Sequence, residues 1–135
     1  NNRVCATKKC ECSGGTGASG NDCPNHGANK CVSCDAGRYM SYGACENCTA
    51  CNASEYESVA CTGSNNRVCA TKKCECSGGT GASGNDCPNH GANKCVSCDA
   101  GRYMSYGACE NCTACNASEY ESVACTGSNN RVCAT

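Results

Sequence analysis

The chain has 135 residues, of which 21 are cysteine, and its formal net charge is −1 at neutral pH. Because it contains no Leu, Ile, Phe or Trp, it cannot bury enough apolar surface to offset the entropy of folding, so crosslinks have to hold the fold. The charge excludes the basic surface of a nucleic-acid-binding protein, and no apolar run approaches the ~20 residues that span a bilayer. A cysteine content this high is typical of a secreted disulfide scaffold. Since the sequence has neither an initiating Met nor a signal peptide, we expect it to be a segment or mature piece of such a protein.

Internal repetition is the strongest pattern in the sequence. Residues 1–64 and 65–128 are identical, residues 129–135 begin a third copy, and each 64-residue copy carries ten cysteines. Such identity suggests a recent duplication or a homogenised long array of copies, with an engineered duplication as the alternative. No linker separates the copies, so we expect the cysteine lattice to cross the boundary and to staple neighbouring copies into a stiff rod.

The predicted elements of each copy are turns and short strands. Residues 13–22 (SGGTGASGND) are rich in glycine and serine, which predicts turns. Extended segments are expected around residues 38–40 and 56–59. No segment has a sustained 3.6-residue apolar period. The sequence therefore predicts a small disulfide-rich fold with little or no helix.

The cysteines from Cys34 to Cys69 carry a family resemblance. They read C-DAGRYMSYGA-C-EN-C-TA-C-NASEYESVA-C-TGSNNRV-C, with Gly37 and Tyr39 following the first cysteine. This stretch closely resembles a cysteine-rich domain of the tumour necrosis factor receptor type. The resemblance implies receptor-type modules at residues 34–69 and 98–133, with residues 1–9 as the end of a preceding module.

Residues 10–33 and 74–97 resemble the EGF-like modules that are common in cysteine-rich surface proteins of protists. They depart from calcium-binding EGF modules because no acidic cluster precedes the first cysteine, so we expect no calcium site. The expected architecture is an elongated tandem array in which EGF-like and receptor-type modules alternate.

The resemblances also imply a disulfide pairing. In the first copy the implied pairs are Cys10–Cys23, Cys12–Cys31, Cys34–Cys45, Cys48–Cys61 and Cys51–Cys69. In the second copy they are Cys74–Cys87, Cys76–Cys95, Cys98–Cys109, Cys112–Cys125 and Cys115–Cys133. This pairing leaves Cys5 unpaired, because its expected partner belongs to a preceding copy that the segment lacks.

Zinc binding is an alternative use of the cysteines. Cys31 and Cys34 are separated by ten residues from Cys45 and Cys48, which is near zinc-ribbon spacing. Ten thiols exceed the needs of one or two tetrahedral sites, and each copy offers a single histidine (His26, His90). We therefore expect disulfides, with no metal and no cofactor.

Two N-glycosylation acceptor motifs occur in each copy, which agrees with a secretory route. The acceptor residues are Asn47, Asn52, Asn111 and Asn116. Asn52 is the better candidate, because Asn47 lies beside Cys48 and early disulfide formation could precede glycan transfer. We expect N-linked glycans, with unoccupied surface asparagines as the alternative.

Few residues suggest catalysis. His26 and Asp22 flank Cys23, but a cysteine in a disulfide cannot act as a thiolate nucleophile. Glu55 and Glu57 would share one face of an extended strand, where a solvated acidic surface is the ordinary interpretation. We expect no enzyme activity.

Two functions follow from this pattern. The first hypothesis is a structural subunit of an extracellular, glycosylated filament, stalk or surface appendage that self-associates through neighbouring repeats, because a uniform lattice needs uniform units. The second is a cell-surface receptor or adhesin ectodomain that binds a protein ligand, with zinc binding as a minor alternative. No nucleic acid and no membrane contact are expected for this segment.

Overall fold

The computed structural model describes residues 2–135 and contains short strands joined by turns. The strands are β1 Gly15–Gly17, β2 Cys31–Cys34, β3 Arg38–Ser41, β4 Ala44–Asn47, β5 Glu55–Val59, β6 Val68–Thr71, β7 Gly79–Gly81, β8 Cys95–Cys98, β9 Arg102–Ser105, β10 Ala108–Asn111, β11 Tyr120–Val123 and β12 Val132–Ala134. The helical elements within the described residues are two 3-10 turns, Gly20–Asp22 and Gly84–Asp86. This confirms the predicted fold class of a small disulfide-rich chain with almost no helix. None of the helical turns in residues 2–135 has the length and apolar character of a membrane-spanning helix.

The strands form two-stranded sheets, each joining strands that are consecutive in the chain. The pairs are β1–β2, β3–β4, β5–β6, β7–β8, β9–β10 and β11–β12. The β3–β4 hairpin is antiparallel, with Tyr39 opposite Glu46 and Met40 opposite Cys45. Its two-residue turn consists of Tyr42 and Gly43, both with positive φ. Since isolated two-stranded sheets are marginal in water, other interactions have to hold them.

Cysteine and alanine make up the interior. Within residues 2–135, the buried residues are Ala18, Cys23 and Cys31 in the first copy and their equivalents Ala82, Cys87 and Cys95 in the second. Large apolar side chains lie outside, as Val32 shows with 54% of its surface exposed. Hydrophobic burial is therefore small, and the disulfides take the place of a core.

The glycine-rich stretch at residues 13–22 contains strand β1, where turns alone were expected. A Cβ atom on Gly15 would lie 2.0 Å from the Ser33 carbonyl oxygen, and one on Gly17 would lie 2.0 Å from that of Cys10. The two glycines therefore allow β1 to approach its neighbours more closely than any other residue could. The sequence did not predict this strand because glycine is typical of turns. Here the glycines instead allow two backbone segments to lie close together.

The chain divides into two compact units that do not coincide with the 64-residue copies. One unit consists of Asn1–Cys51 and Glu57–Ala70, and the other of Asn52–Tyr56 and Thr71–Thr135. The predicted module limits at residues 34 and 69 differ from this division, because residues 52–56 of the first receptor-type module pack with the second unit. A short segment of one copy is thus part of the folded unit that contains most of the next copy.

Candidate functional site

The disulfides repeat in the same order in both copies. In the first copy the bonds are Cys10–Cys23, Cys12–Cys31, Cys34–Cys45, Cys48–Cys61 and Cys51–Cys69. In the second copy they are Cys74–Cys87, Cys76–Cys95, Cys98–Cys109, Cys112–Cys125 and Cys115–Cys133. These are the ten pairs that the family resemblances implied, and Cys5 is an exposed free thiol.

The four cysteines at zinc-ribbon spacing are not free thiols. Cys31, Cys34, Cys45 and Cys48 lie in three different disulfides. The sulfur atoms of Cys12, Cys31 and Cys45 lie within 4.8 Å of one another, because the Cys12–Cys31 and Cys34–Cys45 disulfides pack together. A disulfide sulfur lacks the thiolate charge that binds zinc, so the CxxC spacing reflects crosslinking.

The Cys51–Cys69 disulfide crosses the boundary between the copies at residues 64 and 65. Its Cα atoms are 5.5 Å apart, an ordinary separation for a disulfide. The bond closes the receptor-type module with a cysteine from the following copy. The receptor-type module therefore extends past residue 64 to Cys69.

Hydrogen bonds also join residues on the two sides of the boundary between residues 64 and 65. Asn66 and Thr49 form a reciprocal pair, in which the Thr49 N–H donates to Asn66 Oδ1 and Asn66 Nδ2 donates to Thr49 Oγ1, both at 2.8 Å. Arg67 donates through Nη1 to the Thr49 carbonyl oxygen at 2.6 Å and forms an ion pair with Glu57 through Nε. Asn66 and Arg67 thus hold the segment that follows β4 and the middle of β5.

The second compact unit contains another contact between residues of different copies. The Lys72 N–H donates to the Ser54 carbonyl oxygen at 3.0 Å. The Tyr56 and His90 rings stack with centroids 3.8 Å apart and an angle of 9° between their planes. We call Ser54, Tyr56, Lys72 and His90 the junction contact.

The two copies differ at the junction contact although their sequences are identical. Tyr56 is half-buried, whereas its equivalent Tyr120 is 60% exposed. Ser54 is likewise half-buried, whereas Ser118 is exposed. Burial of Tyr56 and Ser54 therefore depends on the copy that follows them.

Both histidines have the same backbone partner. The Lys9 N–H donates to His26 Nδ1 and the Lys73 N–H donates to His90 Nδ1, both at 3.0 Å. Since Nδ1 accepts, the proton of each neutral ring lies on Nε2. This bond fixes the plane of the His90 ring on which Tyr56 stacks.

Replacing Tyr56 with alanine should destabilise the second unit by about 1 kcal/mol, because a stacked aromatic pair contributes roughly 0.5–1.5 kcal/mol beyond its buried area. The matched control is Tyr120→Ala, which removes the same side chain where it has no stacking partner among the described residues. Chemical denaturation measures the stability. NMR reports the stack directly, because the His90 ring protons shift relative to those of His26 only when Tyr56 is present. Equal effects of the two variants would contradict the junction contact.

The acceptor asparagines are all exposed. Asn47 and Asn111 lie at the ends of β4 and β10. Asn52 forms a local turn in which its Oδ1 accepts from the Ser54 N–H at 2.9 Å and from Ser54 Oγ at 2.6 Å. Asn116 makes the same bonds with Ser118, at 3.0 and 2.8 Å.

The residues that resembled catalytic groups have structural partners. Cys23 is fully buried in its disulfide with Cys10. Glu55 accepts from the Asn52 N–H at 3.0 Å, and Glu57 pairs with Arg67. Glu55 and Glu57 lie in the same strand, β5, but each is engaged by a different part of the chain. These contacts do not bring the groups together as an acid–base pair.

The tyrosine of the receptor-type pattern forms a cross-strand hydrogen bond. The Tyr39 hydroxyl donates to Glu46 Oε2 at 3.1 Å, and Tyr103 does the same with Glu110. This hydrogen bond is the largest cause that raises the pKa of Tyr39 and of Tyr103 above the ordinary value of 10.0. Desolvation and the carboxylate charge are smaller causes and act in the same direction. The bond is present at neutral pH and is lost as the pH rises through the elevated pKa.

We expect the double substitution Glu46→Gln and Glu110→Gln to lower the pKa of these two tyrosines towards the ordinary value, because it removes the charge that disfavours the phenolate. Alkaline titration followed by phenolate ultraviolet absorbance measures the change. Asp35→Asn combined with Asp99→Asn is the control, since neither carboxylate contacts a tyrosine hydroxyl among the described residues. An unchanged titration in the Gln variant would contradict the effect of the carboxylates on the tyrosine pKa.

Sequence reasoning assigned no role to Thr49, Asn66, Arg67 or the Tyr56–His90 stack. The partners of Thr49 and of the stacked rings are 17 or more residues apart in sequence, and Arg67 pairs with Glu57 ten residues away, so no short motif marks them. The repeat itself was the available signal. A boundary without a linker predicted contacts between copies, although not which residues make them.

Comparison with known families gives a match for the receptor-type modules. A family model described as "TNFR/NGFR cysteine-rich region" matches residues 34–69 and 98–133, which together are more than half of the chain. These are the limits expected for the two modules. Residues 10–33 and 74–97 lie outside both matches, so their EGF-like character stays a prediction. No curated protein matches the chain.

Proposed function

This chain belongs to the family of TNFR/NGFR cysteine-rich regions, and from that premise we propose that it is a structural element of an extracellular filament, stalk or surface appendage. In this proposal, identical 64-residue repeats are joined end to end, and a short segment of each copy folds together with the copy that follows, as residues 52–56 do here. The ten disulfides and the family support an extracellular or secreted location, because such crosslinks persist in oxidising compartments.

The junction contact is the observation that carries the proposal, because it joins the first receptor-type module to the residues that follow that module. A chain of independent modules would have a flexible linker between one module and the next. Here residues 52–56 of the first receptor-type module fold together with residues 71–135 in one compact unit. Such sharing of a segment limits free rotation between successive modules, which is what a spacing element requires.

Identity between the copies supports a structural function over a specialised ligand site. Repeat proteins are stabilised by each repeat and its interfaces with neighbours, so identical copies can extend an array without changing its local geometry. A receptor that binds one ligand at one place needs no such uniformity. We accordingly favour self-association through neighbouring repeats as the principal interaction of the chain.

N-linked glycans are part of the proposal. Exposure of Asn47, Asn52, Asn111 and Asn116 supports transfer of a glycan to each copy. Intact-mass measurement before and after treatment with an N-glycosidase should show a loss of one or two glycans per copy from secreted material, with Asn52 and Asn116 occupied first. An unchanged mass would contradict glycosylation and would leave the filament proposal in place.

The filament proposal is tested by the length of arrays. Secreted chains with two, four and eight copies should appear in electron microscopy as particles whose length rises by the same increment for every added copy. Particles that grow in all directions, or beads that pivot freely, would contradict the proposal. Arrays carrying Cys51→Ser and Cys69→Ser at every equivalent boundary are the control, and they should lose the constant increment.

A receptor or adhesin ectodomain is the second candidate, and the family match favours it because the family description itself refers to receptors. In that case discrete chains would capture a soluble protein, and identical copies would increase the strength of binding through multivalency. The same microscopy experiment separates the two candidates, since the receptor hypothesis requires no constant length increment.

A further inference from the structure

Each copy has an open cavity beside the tip of a β-hairpin. The cavity of the first copy, next to the β3–β4 turn, measures about 440 Å³, and the equivalent cavity of the second copy about 450 Å³. We call them the hairpin cavities. The first is lined by Glu11, Asn29, Lys30 and Tyr42, by the disulfide cysteines Cys12, Cys31 and Cys45, and by small residues between them.

Tyr42 occupies a strained position at the rim. Its φ is +49°, in the left-handed region, and Tyr106 repeats this with +50°. That conformation costs a residue with a Cβ atom on the order of 1 kcal/mol, and two-residue hairpin turns ordinarily place Asn, Asp or Gly there. Tyr42 is fully exposed, so packing within the chain does not offset the cost. Such strain marks a position where the side chain serves another purpose.

The frame of the cavity is rigid. The Cys31 N–H donates to the Gly43 carbonyl oxygen at 2.8 Å, which fixes the turn against β2. Beneath it, the Cys12–Cys31 and Cys34–Cys45 disulfides pack with Cys12 Sγ 3.7 Å from Cys45 Sγ. A cavity on such a frame is formed before any ligand arrives, so little entropy is lost on binding.

The polar groups of the cavity carry no net charge. Within residues 2–135, the Glu11 carboxylate and the Asn29 side-chain amide make no hydrogen bond, while Lys30 Nζ donates to the Asp22 carbonyl oxygen at 2.8 Å. One acidic and one basic side chain therefore line the cavity. Their opposite charges disfavour a strongly charged ligand, and the free carboxylate and amide offer acceptors and donors for hydroxyl groups.

We infer that each hairpin cavity binds a neutral saccharide, with the Tyr42 ring packing on the sugar face and Glu11 and Asn29 bonding its hydroxyl groups. Tyrosine is suited to this function because its ring supplies a large, rigid contact area with little entropy to lose. Two identical sites in consecutive copies also match a ligand that repeats, such as a polysaccharide chain, because weak single sites then combine into strong binding. The inference requires one copy for each site and does not depend on filament formation.

Tyr42→Asn combined with Tyr106→Asn tests the inference without endangering the fold. Asparagine tolerates the left-handed conformation better than tyrosine, so the variant should be at least as stable as the original chain. Tyr120→Asn is the matched control, since it removes an exposed tyrosine away from the cavities. The oxidised chain and both variants are applied to an array of neutral oligosaccharides built from glucose, mannose, galactose and N-acetylglucosamine, which also carries sulfated oligosaccharides and a lysine-rich peptide.

The original chain and the Tyr120→Asn control should bind at least one neutral oligosaccharide, and the double variant should bind it roughly tenfold or more weakly. The single variant Tyr42→Asn retains one intact site. It should therefore bind longer oligosaccharides without most of the extra affinity that two sites on one chain provide. Three outcomes would overturn the inference: no binding to any neutral oligosaccharide, undiminished binding by the double variant, or binding only to the sulfated sugars or the basic peptide.

Discussion

Reduction of the disulfides should unfold both copies completely. The residues buried within 2–135 are cysteines and alanines, so no buried large apolar side chain would hold the reduced chain together. A fully buried Leu, Ile or Phe contributes about 1.5–3 kcal/mol, and the sequence contains none of these residues. Each disulfide that closes a loop of about 15 residues contributes roughly 3 kcal/mol by restricting the unfolded chain.

Proton NMR and thiol titration measure this effect. Dispersed amide resonances should collapse on reduction, while the count of reactive thiols rises from one, Cys5, to 21. Treatment with a metal chelator instead of a reductant is the control and should leave the spectrum unchanged. Unfolding by the chelator, or a folded spectrum after full reduction, would contradict the assignment of the disulfides as the source of stability.

Removal of the boundary disulfide by Cys51→Ser and Cys69→Ser should destabilise the chain by about 3 kcal/mol, because the bond closes a loop with a sequence separation of 18 residues. Both cysteines are replaced so that the substitution adds no unpaired thiol to the one at Cys5. The substitution should also loosen the contacts of Arg67 with Thr49 and Glu57, and through Ser54 it should weaken protection of the Lys72 amide. Chemical denaturation gives the stability, and hydrogen exchange gives the protection of that amide.

The equivalent bond of the second copy supplies the matched control. Cys115 and Cys133 have the same sequence separation, so Cys115→Ser with Cys133→Ser should cost a similar free energy. Because the Lys72 amide bonds to Ser54 and not to the second module's end, its exchange should stay slow in this control. Fast exchange in both variants would show that the boundary disulfide has no special connection with the junction contact.

Much of the site could be predicted from the residues because cysteine spacing is a strong signal. Cys34 to Cys69 follow the receptor-type order, and that order implied a bond across the copy boundary that the structure contains. Strands β3 and β5 lie where extended segments were expected. Strand β1 was not predicted because glycine is typical of turns. In the structure, Gly15 and Gly17 allow the strand to lie close to neighbouring backbone.

The sequence by itself determined that this chain is a disulfide-held tandem repeat, because cysteine content, the absence of large apolar residues and exact repetition require no knowledge of contacts. Only the tertiary structure decided which residues meet where one module follows another. Tyr56 is covered by His90 whereas Tyr120 is exposed, since burial depends on neighbours in space. The same reason applies to the hairpin cavity, where disulfides bring Glu11, Asn29 and Tyr42 to one rim although no sequence pattern joins them.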